Sequence, residues 1–215
     1  MALEGTHIRF ALTLKDQYEV KDLNKFLAGT IYPDSRYVTK IKRTLTHDKK
    51  FLKKEFYRNN DFKKGWMLHL VYDQTQSCAL LKFFPCLFKK PEQKISFDNE
   101  RWITETALKI LQDISDIKEF DINNYINYLD LRCSPNNENI ALIIQYNKIM
   151  IDLYSKAPNL DLNDYIKMWE KLGIDKNVSK ILKTKIQIFQ NNPEILSQVN
   201  QLYEETLSTY SNYLV

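Results

Sequence analysis

The sequence has few of the residues that interrupt or end secondary-structure elements. Only 4 of its 215 residues are glycine and 6 are proline. An all-β protein of this length needs more turn residues, so the scarcity favours long helices over strands. Hydrophobic residues make up 44% of the chain and charged residues 27%, which is typical of a globular protein with an apolar core. We therefore predict an all-α fold.

Cysteines and long apolar runs are also scarce. The 3 cysteines, Cys78, Cys86 and Cys133, form no CxxC pair, so we expect reduced thiols rather than a disulfide framework. No stretch approaches the roughly 20 apolar residues that span a bilayer. Residues 1–15 carry charges and lack the apolar core of a secretory signal. We expect a cytoplasmic protein without a transmembrane segment.

Positive charge is concentrated in one part of the chain. The net charge is +4, which is too small for a polycationic nucleic-acid binder, and we expect no stable nucleic-acid complex. Between Thr39 and Lys64, however, ten basic side chains face only three acidic ones. This segment is either a solvated helix face or a positive rim that attracts phosphate groups.

Apolar periodicity and capping residues predict a single helical domain, residues 1–215, with a metal-site part in residues 1–90 and a helical C-terminal part in residues 91–215. The N-terminal part contains a helix over 6–15, a helix that Asp22 caps and Gly29 ends, a loop over 30–36 with Pro33, a helix from Thr46 to Tyr57, and a longer helix from Asn60 or Asp61 that Pro85 stops.

The C-terminal part is predicted to be helix after helix. The predicted helices cover residues 97–114, 122–131, 137–156, 161–172, 178–189 and 193–213. This part is rich in tyrosines, which are either amphipathic residues at the edge of the core or a surface for a partner or a homodimer. The tyrosines are Tyr125, Tyr128, Tyr146, Tyr154, Tyr165, Tyr203, Tyr210 and Tyr213.

Histidine is rare, and the surroundings of each histidine suggest a metal site. The chain has only 3 histidines, His7, His47 and His69. His69 and Asp73 lie four residues apart, on one face of a predicted helix, so an imidazole and a carboxylate can bind the same cation. Asp34 follows Pro33 in a predicted loop, where its side chain can point inward. Each of these residues also has an ordinary structural interpretation, as a packed histidine, a turn former or a partner in a salt bridge.

The order of these residues resembles a known family. F-L-A-G-T-I-Y-P-D at 26–34 is followed by T-H at 46–47 and by F-x-x-G-W-x-x-H-L-x-x-D at 62–73. This series is similar to the zinc-dependent phospholipase C family, especially to its short bacterial members. The resemblance covers roughly residues 5–85, and the rest of the chain matches no motif.

The resemblance implies a multi-helix bundle of the zinc-dependent phospholipase C type and a metal site. Asp34, His47, His69 and Asp73 would form the principal site, and His7 would bind the same metal or a neighbouring one. Zn²⁺ is the expected ion, with iron or manganese as alternatives. No histidine follows His69, and residue 2 is alanine rather than the tryptophan of secreted members. We therefore expect one or two metal ions rather than three.

The expected activity is hydrolysis of a phosphodiester or phosphomonoester, with a phosphate-containing substrate. A bound metal activates water and polarises a phosphoryl oxygen. Asp34 or Asp73 would orient the water or accept its proton, and Arg36 would bind a phosphate oxygen.

Two alternatives stay open at this point. The dipeptide His47-Asp48 is also found in HD-type phosphohydrolases. A non-catalytic helical metalloprotein or interaction module is the second alternative.

Overall fold

The computed structural model describes residues 3–85, 100–130 and 132–214, and every regular element in these ranges is helical. The prediction of an all-α protein is therefore confirmed. The α-helices are α1 (Glu4–Leu14), α2 (Leu23–Ile31), α3 (Arg36–Thr39), α4 (Lys54–Tyr57), α5 (Asp61–Phe83), α6 (Glu100–Glu119), α7 (Ile140–Tyr154), α8 (Leu162–Lys171), α9 (Lys176–Gln190) and α10 (Pro193–Thr209). Short 3-10 helices occur at Tyr32–Ser35, Arg43–Leu45, Lys49–Leu52, Ile122–Asn124, Ile126–Leu129 and Tyr210–Tyr213.

Helix α5 is the central helix of the fold. As predicted, Asn60 caps it by accepting a hydrogen bond from the backbone N–H of Lys63 at 3.1 Å, and the helix ends directly before Phe84 and Pro85. The helix is buried almost all round in its first half, because residues 64–73 are all buried. It contacts α1, α2, α4 and α10. His69 and Asp73, which lie in this stretch, are therefore enclosed by protein.

Helices α2 and α5 touch through their backbones at two glycines. A Cβ atom at Gly29 would lie 1.9 Å from the carbonyl oxygen of Phe62, and a Cβ atom at Gly65 would lie 1.9 Å from that of Phe26. The prediction that Gly29 ends the second helix is wrong, since α2 continues to Ile31. Gly29 serves a close helix–helix approach rather than a C-terminal cap, and a single sequence does not distinguish these two uses.

The segment predicted as a loop is helical. Residues Tyr32–Ser35 form a 3-10 helix that leads from α2 into α3, with Pro33 in its first turn. Proline is tolerated there because the first N–H groups of a helix have no partner within the helix. Asp34 is therefore held by a helical segment, and it is only 1% exposed.

The predicted helix from Thr46 to Tyr57 is broken into two short pieces. A 3-10 helix covers Lys49–Leu52, and α4 begins at Lys54 after the extended backbone of Lys53. Thr46 is not a cap of this helix. Its carbonyl oxygen instead accepts a hydrogen bond from Trp66 Nε1 at 2.6 Å, which ties the chain beside His47 to α5.

The C-terminal helices pack against the N-terminal ones. Helix α6 contacts α1, α9 and α10, and α10 also contacts α5. The predicted helix over 122–131 is replaced by two 3-10 helices. The proposed boundary between residues 90 and 91, Cys86 and the predicted helix start at residue 97 lie outside the described residues. Within the described ranges, no helix has the combined length and hydrophobicity needed to cross a membrane.

Several of the C-terminal tyrosines belong to the core. Tyr146, Tyr154 and Tyr165 are fully buried and Tyr203 is 4% exposed. A buried side chain is not available to a second copy of the chain, so these four residues favour the core interpretation over a dimer surface.

Candidate metal centre

The structure brings together the five side chains that were singled out in the sequence. His7 lies on α1, Asp34 on the 3-10 helix Tyr32–Ser35, and His69 and Asp73 lie one turn apart on α5. His47 follows the 3-10 helix Arg43–Leu45, where its backbone N–H donates to the carbonyl oxygen of Arg43 at 2.8 Å. We call these five residues, His7, Asp34, His47, His69 and Asp73, the His/Asp cluster.

The imidazole Nε2 atoms of the cluster face carboxylate oxygens. Nε2 of His7 lies 3.5 Å from Oδ1 of Asp73, and Nε2 of His69 lies 3.8 Å from Oδ2 of the same residue. Nε2 of His47 lies 3.7 Å from both Oδ2 of Asp73 and Oδ1 of Asp34. These distances exceed those of good hydrogen bonds, so the groups surround a common space.

Two sets of three residues can each hold one ion. One set is His7, Asp34 and His69, and the other is His47, His69 and Asp73; within each set the ligand atoms lie within 4.8 Å of one another. Nitrogen and oxygen ligands bind Zn²⁺ at about 2.0–2.2 Å, so ligand atoms around one ion are roughly 3–4 Å apart. A small inward movement of the side chains would reach that geometry.

Because the polar atoms of the cluster are buried, they destabilise the fold unless they bind a ligand. His7 is 1% exposed and His69 is 0% exposed. Both ring nitrogens of His7, Nε2 of His47, Nε2 of His69 and Oδ1 of Asp34 have no hydrogen-bond partner among the described residues. A buried polar atom without a partner costs about 1–3 kcal/mol. Several such atoms at one point are the pattern expected for ligands of a cation.

Hydrogen bonds on the far side of two rings orient them toward this space. Nδ1 of His69 lies 2.9 Å from the carbonyl oxygen of Thr30. A carbonyl oxygen only accepts, so Nδ1 carries the proton and Nε2 keeps its lone pair. Nδ1 of His47 similarly contacts the hydroxyl of Thr46 at 2.7 Å. Ligand histidines in metal sites are commonly fixed in this way. The rings of His7 and His69 are also stacked, with centroids 3.9 Å apart.

The electrostatics of the cluster favour neutral imidazoles beside a charged carboxylate. Burial, and after it the neighbouring His69, lower the pKa of His7 to about 3. Burial also lowers the pKa values of His47 and His69. Burial alone would raise the pKa of Asp73, but nearby groups, His7 and His69 among them, hold it well below its usual range. Neutral nitrogens and an ionised carboxylate are the protonation states that bind a metal.

Arg36 lies beside the cluster with its guanidinium engaged. Nη2 donates to the hydroxyl of Tyr37 at 2.8 Å, and the guanidinium carbon lies 4.3 Å from the centre of the Tyr37 ring. Nε lies 3.6 Å from Oδ1 of Asp34. Arg36 thus adds positive charge next to Asp34, while its binding of a phosphate oxygen stays a prediction.

Glu4 also lies in this region, although it was not among the predicted site residues. It lies one turn before His7 on α1, is 4% exposed, and accepts a hydrogen bond from the hydroxyl of Tyr146. Burial and the charge of Asp34 raise the pKa of Glu4 to about 8. The spacing of three residues between Glu4 and His7 could have indicated a shared helix face. No pattern in the sequence indicates that Tyr146, which lies on α7, contacts Glu4.

A cleft connects the cluster with the surface. Its volume is about 320 Å³. His47 and Asp73 belong to its lining, so a ligand in the cleft reaches one side of the cluster. The lining consists of Arg43, His47, Asp48, Lys49, Leu52, Leu70, Asp73, Gln74, Ser77 and Cys78.

No protein-family model, no curated protein and no solved structure matches this chain.

Proposed function

We propose that this protein is a metal-dependent phosphoester hydrolase with a fold of the zinc-dependent phospholipase C type. The His/Asp cluster carries the proposal, because three buried imidazoles and two carboxylates surround one space next to a cleft. All three histidines of the chain lie in this cluster. They also stand at the motif positions that resemble the family.

The ligand set fits Zn²⁺ best among the common divalent ions. Imidazole nitrogens with one or two carboxylates are typical zinc ligands, whereas Mg²⁺ and Ca²⁺ prefer oxygen ligands. Iron and manganese also accept such a set. The two sets of three residues share His69, which supports one ion, or two close ions that draw on all five residues.

The residues around the site support phosphoester hydrolysis. Zn²⁺ held by the His/Asp cluster would supply hydroxide at neutral pH and would polarise a phosphoryl oxygen. Asp73 reaches both the cluster and the cleft, so its carboxylate can orient the attacking water or accept its proton. Asp34 is the second candidate for this role. The side chains of His47 and Asp73 are only 3% and 9% exposed, and such burial limits competing water and strengthens electrostatic interactions.

The position of Asp48 argues against an HD-type phosphohydrolase. That interpretation needs the aspartate after His47 as a metal ligand. Oδ1 of Asp48 instead accepts a hydrogen bond from the backbone N–H of Lys50 at 2.9 Å, which caps the following 3-10 helix. Asp48 lies in neither set of candidate ligands.

Metal analysis and a phosphodiester assay test the proposal together. Protein purified without added metal should contain about one or two equivalents of zinc, iron or manganese and should hydrolyse bis(4-nitrophenyl) phosphate or 4-nitrophenyl phosphate. His69→Ala and Asp73→Ala remove proposed ligands, so both should lose metal. Their kcat/KM should fall by at least about 100-fold, since even residues that only support ligands contribute 10–100-fold.

Asp152→Ala is a matched control, because Asp152 is an exposed aspartate on α7 far along the chain from the cluster. It should keep wild-type metal content and activity. Metal well below one equivalent would rule out the metal centre. A full equivalent without turnover of either ester would support the non-catalytic metalloprotein instead.

A further inference from the structure

The cleft has two zones with different chemistry. His47 and Asp73 lie at its inner end, and Leu52 and Leu70 form buried apolar wall, being 4% and 7% exposed. Arg43 and Lys49 also line the cleft, but both side chains are exposed. The positive charges therefore lie at the mouth, while the proposed metal ligands lie deeper.

No neighbouring side chain in the described ranges neutralises the two cations at the mouth. In the part of the chain that the structure describes, neither Arg43 nor Lys49 forms an ion pair or a side-chain hydrogen bond. Other basic residues of the same segment are engaged: Lys64 pairs with Asp61 at 2.7 Å, and the ammonium groups of Lys50 and Lys63 lie 5.0 Å and 4.9 Å from the ring centres of Phe51 and Phe56.

The net charge at the mouth is positive. Asp48 is the only acidic residue of the outer lining, and one of its oxygens accepts the hydrogen bond from the backbone of Lys50. Arg43 also lies next to the inner zone. It lines the same cleft as His47, and the backbone N–H of His47 donates to the carbonyl oxygen of Arg43 at 2.8 Å. A ligand in the cleft can therefore contact both the guanidinium and the cluster.

The size of the cleft limits what can enter. A volume of about 320 Å³ is at the lower end of the range of roughly 300–1,000 Å³ for small-molecule sites. The part of a substrate that occupies it is therefore small, such as the head group of a phosphoester.

We propose that Arg43 and Lys49 form an anion subsite at the mouth of the cleft, which binds an anionic group of the substrate other than the phosphoryl group that is hydrolysed. The inference rests on the proposed function for the role of the inner zone. The substrate class is then a small phosphoester with a second anionic group. A guanidinium binds phosphate or carboxylate oxygens in a bidentate manner, and an ammonium adds a compact second charge.

A matched pair of non-hydrolysable ligands tests the subsite by calorimetry on the protein as purified. Propane-1,3-diyl bisphosphonate carries two anionic groups, and propylphosphonate carries one. The bisphosphonate should bind the wild-type protein more tightly. Arg43→Gln and Lys49→Gln should each weaken its binding by about tenfold, the effect of losing one charge-assisted contact, and should leave the binding of propylphosphonate unchanged.

Three further variants separate recognition from folding and bulk charge. Arg43→Lys keeps the charge but not the bidentate geometry, so it should restore part of the affinity that Arg43→Gln loses. Arg132→Gln and Lys180→Gln remove exposed charges outside the cleft and should leave both affinities as in the wild type. Equal effects of all four glutamine variants, or no effect of Arg43→Gln and Lys49→Gln, would overturn the subsite.

A vesicle-binding experiment shows whether the anionic group comes from a lipid head group or from a dissolved substrate. Sedimentation with phosphatidylcholine vesicles that contain or lack phosphatidic acid shows whether Arg43 and Lys49 also bind a lipid head group. Binding of anionic vesicles that is lost in Arg43→Gln and in Lys49→Gln supports the subsite with a lipid as its source. Binding of the bisphosphonate without binding of vesicles supports the subsite with a dissolved substrate. If the protein hydrolyses the esters but Arg43→Gln and Lys49→Gln bind the bisphosphonate as the wild type does, the subsite is excluded and the hydrolase is kept. If the purified protein contains no metal but Arg43 and Lys49 still contribute to bisphosphonate binding, the hydrolase is excluded and the subsite is kept.

Discussion

Gly65→Ala should destabilise the protein, although the change is usually stabilising in a helix. In the interior of an exposed helix, alanine is favoured over glycine by about 1 kcal/mol. Gly65 lies inside α5, in the second turn after its start at Asp61, so helix propensity alone predicts a gain. The backbone contact with α2 predicts the opposite sign. This conflict makes the substitution a sharp test of the helix–helix approach.

The size of the effect follows from the geometry. The new Cβ would lie 1.9 Å from the carbonyl oxygen of Phe26, whereas ordinary contact begins at 3.4 Å, so the backbones must move apart by about 1.5 Å. Overpacking of a core, including the backbone shifts that it forces, typically costs 1–3 kcal/mol. A separation of this size places the cost at the upper end, about 3 kcal/mol. After subtracting the gain of about 1 kcal/mol in propensity, we expect a loss of about 2 kcal/mol in the free energy of unfolding.

Urea unfolding followed by far-ultraviolet circular dichroism measures this loss, and Gly29→Ala provides the matched variant. Gly29 meets the carbonyl oxygen of Phe62 in the same helix pair. Because both variants force the same separation of α2 from α5, the double variant should lose less than the sum of the two single losses. Wild-type or greater stability of Gly65→Ala, or strictly additive losses, would refute the close contact.

Two further predictions concern buried carboxyl groups. Oδ1 of Asp113 accepts hydrogen bonds from the backbone N–H and the hydroxyl of Thr6, and Oδ2 accepts them from the hydroxyls of Tyr154 and Tyr165. Asp113→Asn turns an NH₂ group toward these donors and should lower the free energy of unfolding, measured in urea, by about 3 kcal/mol. The control Asp121→Asn changes an exposed capping residue and should stay near the wild-type stability. Glu4→Gln should flatten the pH dependence of stability in metal-free protein, measured by urea unfolding at a series of pH values. The folded-state pKa of Glu4 is raised from 4.5 to about 8, so the folded state holds the proton longer, and wild-type stability should fall as the pH rises between these values. A wild-type profile parallel to that of Glu4→Gln would contradict the raised pKa.

The all-helical fold could be predicted because its signals are local. Asn60 before α5 is a visible capping signal, and the structure places it as expected. The predicted helix starts at residues 161 and 193 agree with α8 and α10, which begin at Leu162 and Pro193. The prediction errors occur where contacts with other helices determine the local structure. Gly29 has the properties of a helix end, but it continues the helix because a neighbouring backbone occupies the space of a Cβ.

The candidate site could be predicted in its residue types but not in its supporting contacts. His69 and Asp73 are four residues apart on one helix, so their proximity follows from helix geometry. The proximity of His7 and His47 to them could be inferred only from the order of motifs. The carbonyl oxygen of Thr30 carries no side-chain signal, and Tyr146 is 142 residues away from Glu4 in the chain. Such contacts are set by packing and leave no pattern in a single sequence.

The carboxylate of Asp113 has a consequence for the two parts of the chain. It lies on α6 and binds the start of α1, the helix that carries His7, together with tyrosines of α7 and α8. A fragment that ends at residue 85 would contain every motif residue but would lack this anchor. The C-terminal helices, which resemble no motif, thus help to hold the His/Asp cluster in place, and the motif-bearing segment depends on them.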